Sequence, residues 1–108
     1  MNHAQLRAFH AVASEGSFTR AAEVLHVTQP TLSGQVKELE ARYGVKLFDR
    51  RGRRVYPTEL GRSLLDLTRR LFSLEAEAEQ ILGAAKGLKR GHLRLAADAP
   101  FHVIGALS

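Results

Sequence analysis

The chain has 108 residues, of which 44% are hydrophobic and 25% charged, with no cysteine and a net charge of +5. That length suits one small domain or a domain with an appendage, and the composition excludes global disorder, a disulfide framework and thiol chemistry. No apolar run approaches the roughly 18 residues of a membrane span, and from the polar start Met1-Asn2-His3 no signal peptide is expected.

Residues 4–14 predict a helix with Leu6, Phe9 and Ala13 on one face and Val12 beside them. Gly16 ends it, and Ser17 is a suitable N-cap for the next segment. There Phe18, Ala21, Ala22 and Leu25 fall at i, i+3, i+4 and i+7, one helical face whose two alanines admit a closely packed neighbour. His26-Val27 is a break, and histidine tolerates the positive φ of a tight turn. Thr28 caps a third helix, and Pro30 lies in its first turn, where the missing N–H costs nothing. That helix runs to about Tyr43, with Leu32, Val36, Leu39 and Tyr43 as its buried stripe and Gly44 as its C-cap. Two helices joined by so short a turn describe a helix-turn-helix, although any two packed helices of a small bundle share the pattern.

Val45 to Arg50 and Val55 to Pro57 then read as the two strands of a hairpin, that is, a wing. Its predicted tip runs from Arg51 through Gly52 and Arg53 to Arg54. Thr58 caps a fourth helix, and Glu59 in the first turn suits the helix dipole. Leu60, Leu64, Leu67, Leu71, Leu74, Ala78, Ile81 and Ala85 follow one another at alternating steps of four and three, a heptad repeat. At 1.5 Å per residue, about 28 residues make a rod of roughly 42 Å, too long for this chain to cover its own stripe, so self-association is expected. Gly83, Gly87 and Gly91, among Lys86, Lys89 and Arg90, read as a frayed end and a linker. His92 to Ala97 alternates like a strand, Pro100 breaks it, and Phe101 to Leu107 suits the start of a helix. A lone strand lacks its sheet, so a fragment of a longer protein is expected.

Charge follows this division. Residues 1–58 hold nine Lys and Arg against five Asp and Glu, whereas residues 59–108 hold seven against six. The basic half fits an anionic partner. Arg50, Arg51, Arg53 and Arg54 carry rigid guanidinium forks suited to phosphate, although a charge run is commonly a solvated turn. The five histidines, His3, His10, His26, His92 and His102, show no ligand-like spacing, and no metal site is expected. The sequence shows no paired nucleophile and base and no phosphate-cradling glycine loop, so no catalytic residue is assigned and no enzyme is expected.

Several segments together resemble the amino-terminal domain of LysR-type transcriptional regulators. They are Gln5-Leu6-Arg7-Ala8-Phe9, Gly16 to Ala22, Thr28-Gln29-Pro30-Thr31-Leu32-Ser33, Leu39-Glu40, Gly44 to Phe48, Arg50-Arg51 and Pro57 to Gly61. The resemblance implies a mainly α fold: a winged helix-turn-helix of three helices plus a two-stranded wing over 1–58, followed by a long linker and dimerisation helix over 59–86. Residues 87–108 would be a hinge and the truncated start of an effector-binding domain. It also implies a bacterial, cytoplasmic, nucleoid-associated regulator. Such a regulator binds double-stranded DNA as a homodimer, with a tetramer allowed at full length, and takes a small-molecule co-inducer in the full-length protein but no other cofactor.

On that reading the third helix enters the major groove. Gln29, Pro30, Ser33 and Gln35 are the candidates for base edges, and Thr28 and Thr31 for phosphate. Arg53 or Arg54 would enter the minor groove, and Arg50, Arg51 and Lys46 would hold phosphates. Leu60, Leu64, Leu67, Leu71, Leu74, Ala78 and Ile81 would form the dimer seam. Many family members carry a long basic residue where this chain has Gly34. Either the helix backbone comes closer to DNA there, or the contact shifts to Lys37 and the wing. The competing reading is a protein-interaction module in which the heptad helix does the work.

Overall fold

Caps written into the sequence set the helix boundaries. The computed structural model describes residues 1–91, in the order α1 (His3–Glu15), α2 (Phe18–Leu25), α3 (Gln29–Tyr43), β1 (Phe48–Arg51), β2 (Arg54–Pro57) and α4 (Glu59–Gly91). The expected strand at 92–97, the break at Pro100 and the helix from Phe101 lie outside the described residues. Asn2 opens α1, its side chain accepting the Gln5 N–H at 2.8 Å. Ser17 opens α2 by accepting from Arg20 at 3.1 Å, and Thr28 opens α3 by accepting from Thr31 at 3.3 Å. Each cap satisfies an N–H that the helix cannot pair internally. Gly16 and Gly44 end α1 and α3 in the left-handed region, as does His26 after α2 with φ 58°. The tight turn anticipated at His26 is therefore present.

The chain divides into two units, Met1–Arg70 and Leu71–Ser108. In the first, Ala8, Phe9, Ala11 and Val12 of α1 pack with Ala21 and Ala22 of α2 and with Leu32, Val36 and Leu39 of α3. Leu47, Phe48, Val55 and Leu65 complete the core. The Phe48 ring lies 5.3 Å from Phe9 and 5.9 Å from Phe18, edge-on to the latter, which fastens the wing to the helices. Tyr43 departs from the predicted stripe: it is 53% exposed, and the Arg42 guanidinium lies 5.8 Å from its ring.

β1 and β2 pair antiparallel, with Phe48 opposite Pro57, Asp49 opposite Tyr56, Arg50 opposite Val55 and Arg51 opposite Arg54. The first strand is shorter than the expected Val45–Arg50 and runs one residue further. Only Gly52 and Arg53 form the turn, with φ +63° at the glycine, the position where a type II′ connection favours glycine. The predicted tip of Arg51 to Arg54 is thereby corrected, because Arg51 and Arg54 are a cross-strand pair.

Thr58 joins the wing to α4. Its hydroxyl accepts the Gly61 N–H at 3.0 Å and donates to the Lys46 carbonyl at 2.8 Å, while its N–H donates to the Leu47 carbonyl at 2.9 Å. Gly61 is buried there, and a Cβ on it would run into the Leu47 carbonyl oxygen. In the second unit α4 continues through Gly83 and Gly87 to Gly91, past the expected end at residue 86. Each isolated glycine costs about 1 kcal/mol relative to alanine, and the good helix formers around them carry the helix on.

Candidate nucleic-acid interface

Helical spacing sorts α3 into rows. Leu32, Val36 and Leu39 face the core. Pro30, Gly34 and Lys37, at i, i+4 and i+7, form the row most directly opposite. Gln29 and Ser33 form a row on one side of it and are joined by a hydrogen bond, the Gln29 amide donating to the Ser33 hydroxyl at 3.3 Å. Thr31, Gln35 and Glu38 form the row on the other side, toward α1, where Glu38 accepts from the Gln5 amide at 3.2 Å. Gln35 is half-buried and stands apart from Gln29 and Ser33. Thr28, Gln29, Pro30, Thr31 and Lys37 are exposed. The Thr28 hydroxyl donates to that of Thr31 at 2.9 Å, so the first turn presents two linked hydroxyls.

The four wing arginines are all exposed, but their surroundings differ. The Arg50 guanidinium lies 5.1 Å from the Phe18 ring centre. Those of Arg51 and Arg54 lie 4.9 and 5.8 Å from the Tyr56 ring. An aromatic face attracts a cation and restrains a side chain that would otherwise sample many rotamers. Arg54 also lies against Gly16, whose carbonyl accepts the Val55 N–H at 3.1 Å. Arg53 stands at the turn. Sequence reasoning missed these platforms. The i, i+2 spacing of Arg54 and Tyr56 in one strand was an available signal, whereas Phe18 approaches Arg50 only through the fold.

Between α3 and the wing lies a recess of about 400 Å³. Ser33, Lys37 and Glu40 line it from the helix, with Lys46, Asp49 and Arg50 opposite. Glu40 is already engaged, accepting the Leu47 N–H at 2.7 Å.

The predicted seam residues Leu60, Leu67, Leu71, Leu74, Ala78 and Ile81 are all exposed, and Leu64 is half-buried against the core. A second face of α4 holds the core contacts: Gly61, Leu65 and Thr68 are buried. Among the described residues no group of three or more His, Cys, Asp or Glu is placed to hold a metal ion, and no helix is long and apolar enough to cross a membrane.

The profile of bacterial regulatory helix-turn-helix proteins of the lysR family matches residues 3–62. The chain belongs to the LysR family. Its fold, three helices with a two-stranded wing followed by a long helix, recurs in solved LysR-family structures. A CbnR DBD–DNA complex superposes with a TM-score of 0.67 at 37% identity, over 80% of this chain and 99% of that one. A BenM DBD complex with catB site 1 DNA superposes with a TM-score of 0.68 at 36% identity, over 85% and 99%. The RuBisCO operon transcriptional regulator of Allochromatium vinosum is 47% identical over 92 residues, 85% of this chain but 30% of that regulator. An HTH-type transcriptional regulator in the ibpB-leuC intergenic region of Azotobacter vinelandii is 44% identical over 105 residues, 97% of this chain and 71% of that protein. This LysR-family chain thus spans less than a third of the Allochromatium regulator's length.

Proposed function

We propose that this chain is the DNA-binding segment of a bacterial, cytoplasmic transcription regulator that reads duplex DNA as a homodimer and is not an enzyme. The observation that carries the reading is the pairing of one outward-facing helix, α3, with an arginine-bearing wing across a basic recess. The likeness to CbnR and BenM DNA complexes supports it. In this reading the N-terminal half of α3 enters the major groove, with Gln29, Pro30 and Ser33 on base edges and Gln35 at the margin. Thr28 and Thr31 take phosphate oxygens beside the helix N-terminus. Arg53, at the turn, enters the minor groove, and Arg50 and Arg51 hold the flanking backbone. The exposed α4 stripe pairs two copies, with a tetramer and a small-molecule co-inducer belonging to the full-length protein.

The test begins with selection of duplexes from a random pool. Binding through about 6–10 phosphates should weaken roughly 10³–10⁵-fold between 50 and 200 mM salt. Arg53→Ala should weaken binding to the selected duplex, and unchanged affinity would remove Arg53 from the groove. Absence of DNA binding at low salt would leave the heptad helix as the functional element and favour an interaction module.

A further inference from the structure

The recess between α3 and the wing lies beside the residues assigned to base edges and shares Ser33 with them. We infer that it is a seat for one backbone phosphodiester, that of the DNA strand separating the major groove occupied by α3 from the minor groove under the wing. The inference rests on the groove assignment above and goes beyond it. If α3 lies in one groove and the hairpin in the next, a sugar-phosphate strand must cross the gap between them. The gap in this molecule is the recess of about 400 Å³, lined by Ser33 and Lys37 on one side and by Lys46 and Arg50 on the other.

Three features suit it to an anion. Lys37, Lys46 and Arg50 reach it from three separate elements, α3, the α3–β1 connection and β1, so a charge held there ties the recognition helix to the wing. Arg50 is steadied on the Phe18 ring at 5.1 Å, which reduces the freedom lost when it binds. One carboxylate oxygen of Glu40 is engaged by the Leu47 N–H at 2.7 Å. Asp49 also lines the recess, so three cations oppose two carboxylates. That balance fits a single monoanionic phosphodiester and disfavours accumulation of polyanion at this point. Ser33 also lines the recess, and its hydroxyl keeps a proton to donate while accepting from Gln29 at 3.3 Å.

The experiment uses a selected duplex carrying one neutral methylphosphonate at a time, scanned along both strands, with the wild-type chain and the Lys46→Ala and Lys37→Ala variants. Both lysines are exposed, and thermal melting checks that the variants fold. For the wild type, one linkage per half-site, between the α3 and wing footprints, should lose about tenfold in affinity when neutralised. In Lys46→Ala that linkage should become indifferent to neutralisation while losses at the other linkages persist, and Lys37→Ala should behave alike. Each variant should also reduce the slope of log affinity against log salt by about 0.9 per half-site, so about 1.8 for a homodimer on two half-sites. If the variants keep the full wild-type scan and slope, the seat is wrong although DNA binding stands. If the wild type selects no duplex, the groove assignment itself fails.

Discussion

Gly16 meets two constraints that its neighbours in sequence do not announce. Its φ of +70° is the left-handed conformation that ends α1, and a Cβ there would run into the Arg54 guanidinium. Gly34 meets neither: it sits inside α3, and nothing lies within 4 Å of where a Cβ would be. The same substitution should therefore act with opposite sign at the two sites. Gly16→Ala should lower the unfolding free energy in urea by about 1–2 kcal/mol, from the left-handed backbone alone, with displacement of Arg54 added. Gly34→Ala should raise it by about 0.5–1 kcal/mol, because alanine restricts the unfolded chain and suits the helix. A stabilised Gly16→Ala would show that Arg54 and the turn adjust freely. The arginine cluster follows the same logic. Its charge was plain in the sequence, but its division into Arg50 on Phe18, Arg51 and Arg54 on Tyr56, and Arg53 at the turn depends on strand register and on a helix about thirty residues away.

Among the elements, α4 shows what periodicity in sequence conceals. The leucine heptad was legible, yet the face that holds α4 to the core is Gly61, Leu65 and Thr68, displaced by one residue. A glycine and a threonine do not register in an apolar count, so that face was missed. The caps Ser17, Thr28 and Thr58 and the turn at His26 were legible because each is decided by local chemistry. Tyr43 was not, since burial at a helix end depends on what packs beyond it. Thr68 is also a polar link: its hydroxyl lies 2.8 Å from His10 Nδ1 of α1 and donates to the Leu65 carbonyl at 3.2 Å. Burial, with the positive charges of Arg69 and Arg7 adding to it, holds the His10 pKa below its ordinary 6.5. The unfolded chain therefore takes up a proton at higher pH than the folded one. The His10 contribution is intact above about pH 6.5 and declines as pH falls through that value toward the lowered folded pKa. The melting temperature should thus drop as pH falls below about 6.5, and His10→Gln should flatten that part of the profile. An identical profile in His10→Gln would assign the dependence to other groups.

For the whole molecule, the exposed leucine stripe of α4 calls for a matching apolar surface. Leu60 and Leu64 line an apolar recess of about 410 Å³ with Met1, Leu39, Tyr43, Val45 and Leu47, and the heptad continues by spacing through Leu67, Leu71, Leu74 and Ile81. Leu67, Leu71, Leu74 and Ile81 are each at least 42% exposed in the single chain. A row of leucines at this period gains little from water and much from a matching row on a second copy. Leu71 lies within that row, so Leu71→Asp would place a carboxylate against apolar side chains, where burial without a partner is strongly unfavourable. Sedimentation velocity should show the wild type as a dimer at micromolar concentration and the variant as a monomer. Its DNA affinity should fall with it, because a second half-site is bound at high effective concentration only when two reading heads are joined. Single half-site duplexes separate the two effects: on them the variant and the wild type should bind alike, since α3 and the wing are untouched. A dimer that survives Leu71→Asp would move the main interface away from this stripe.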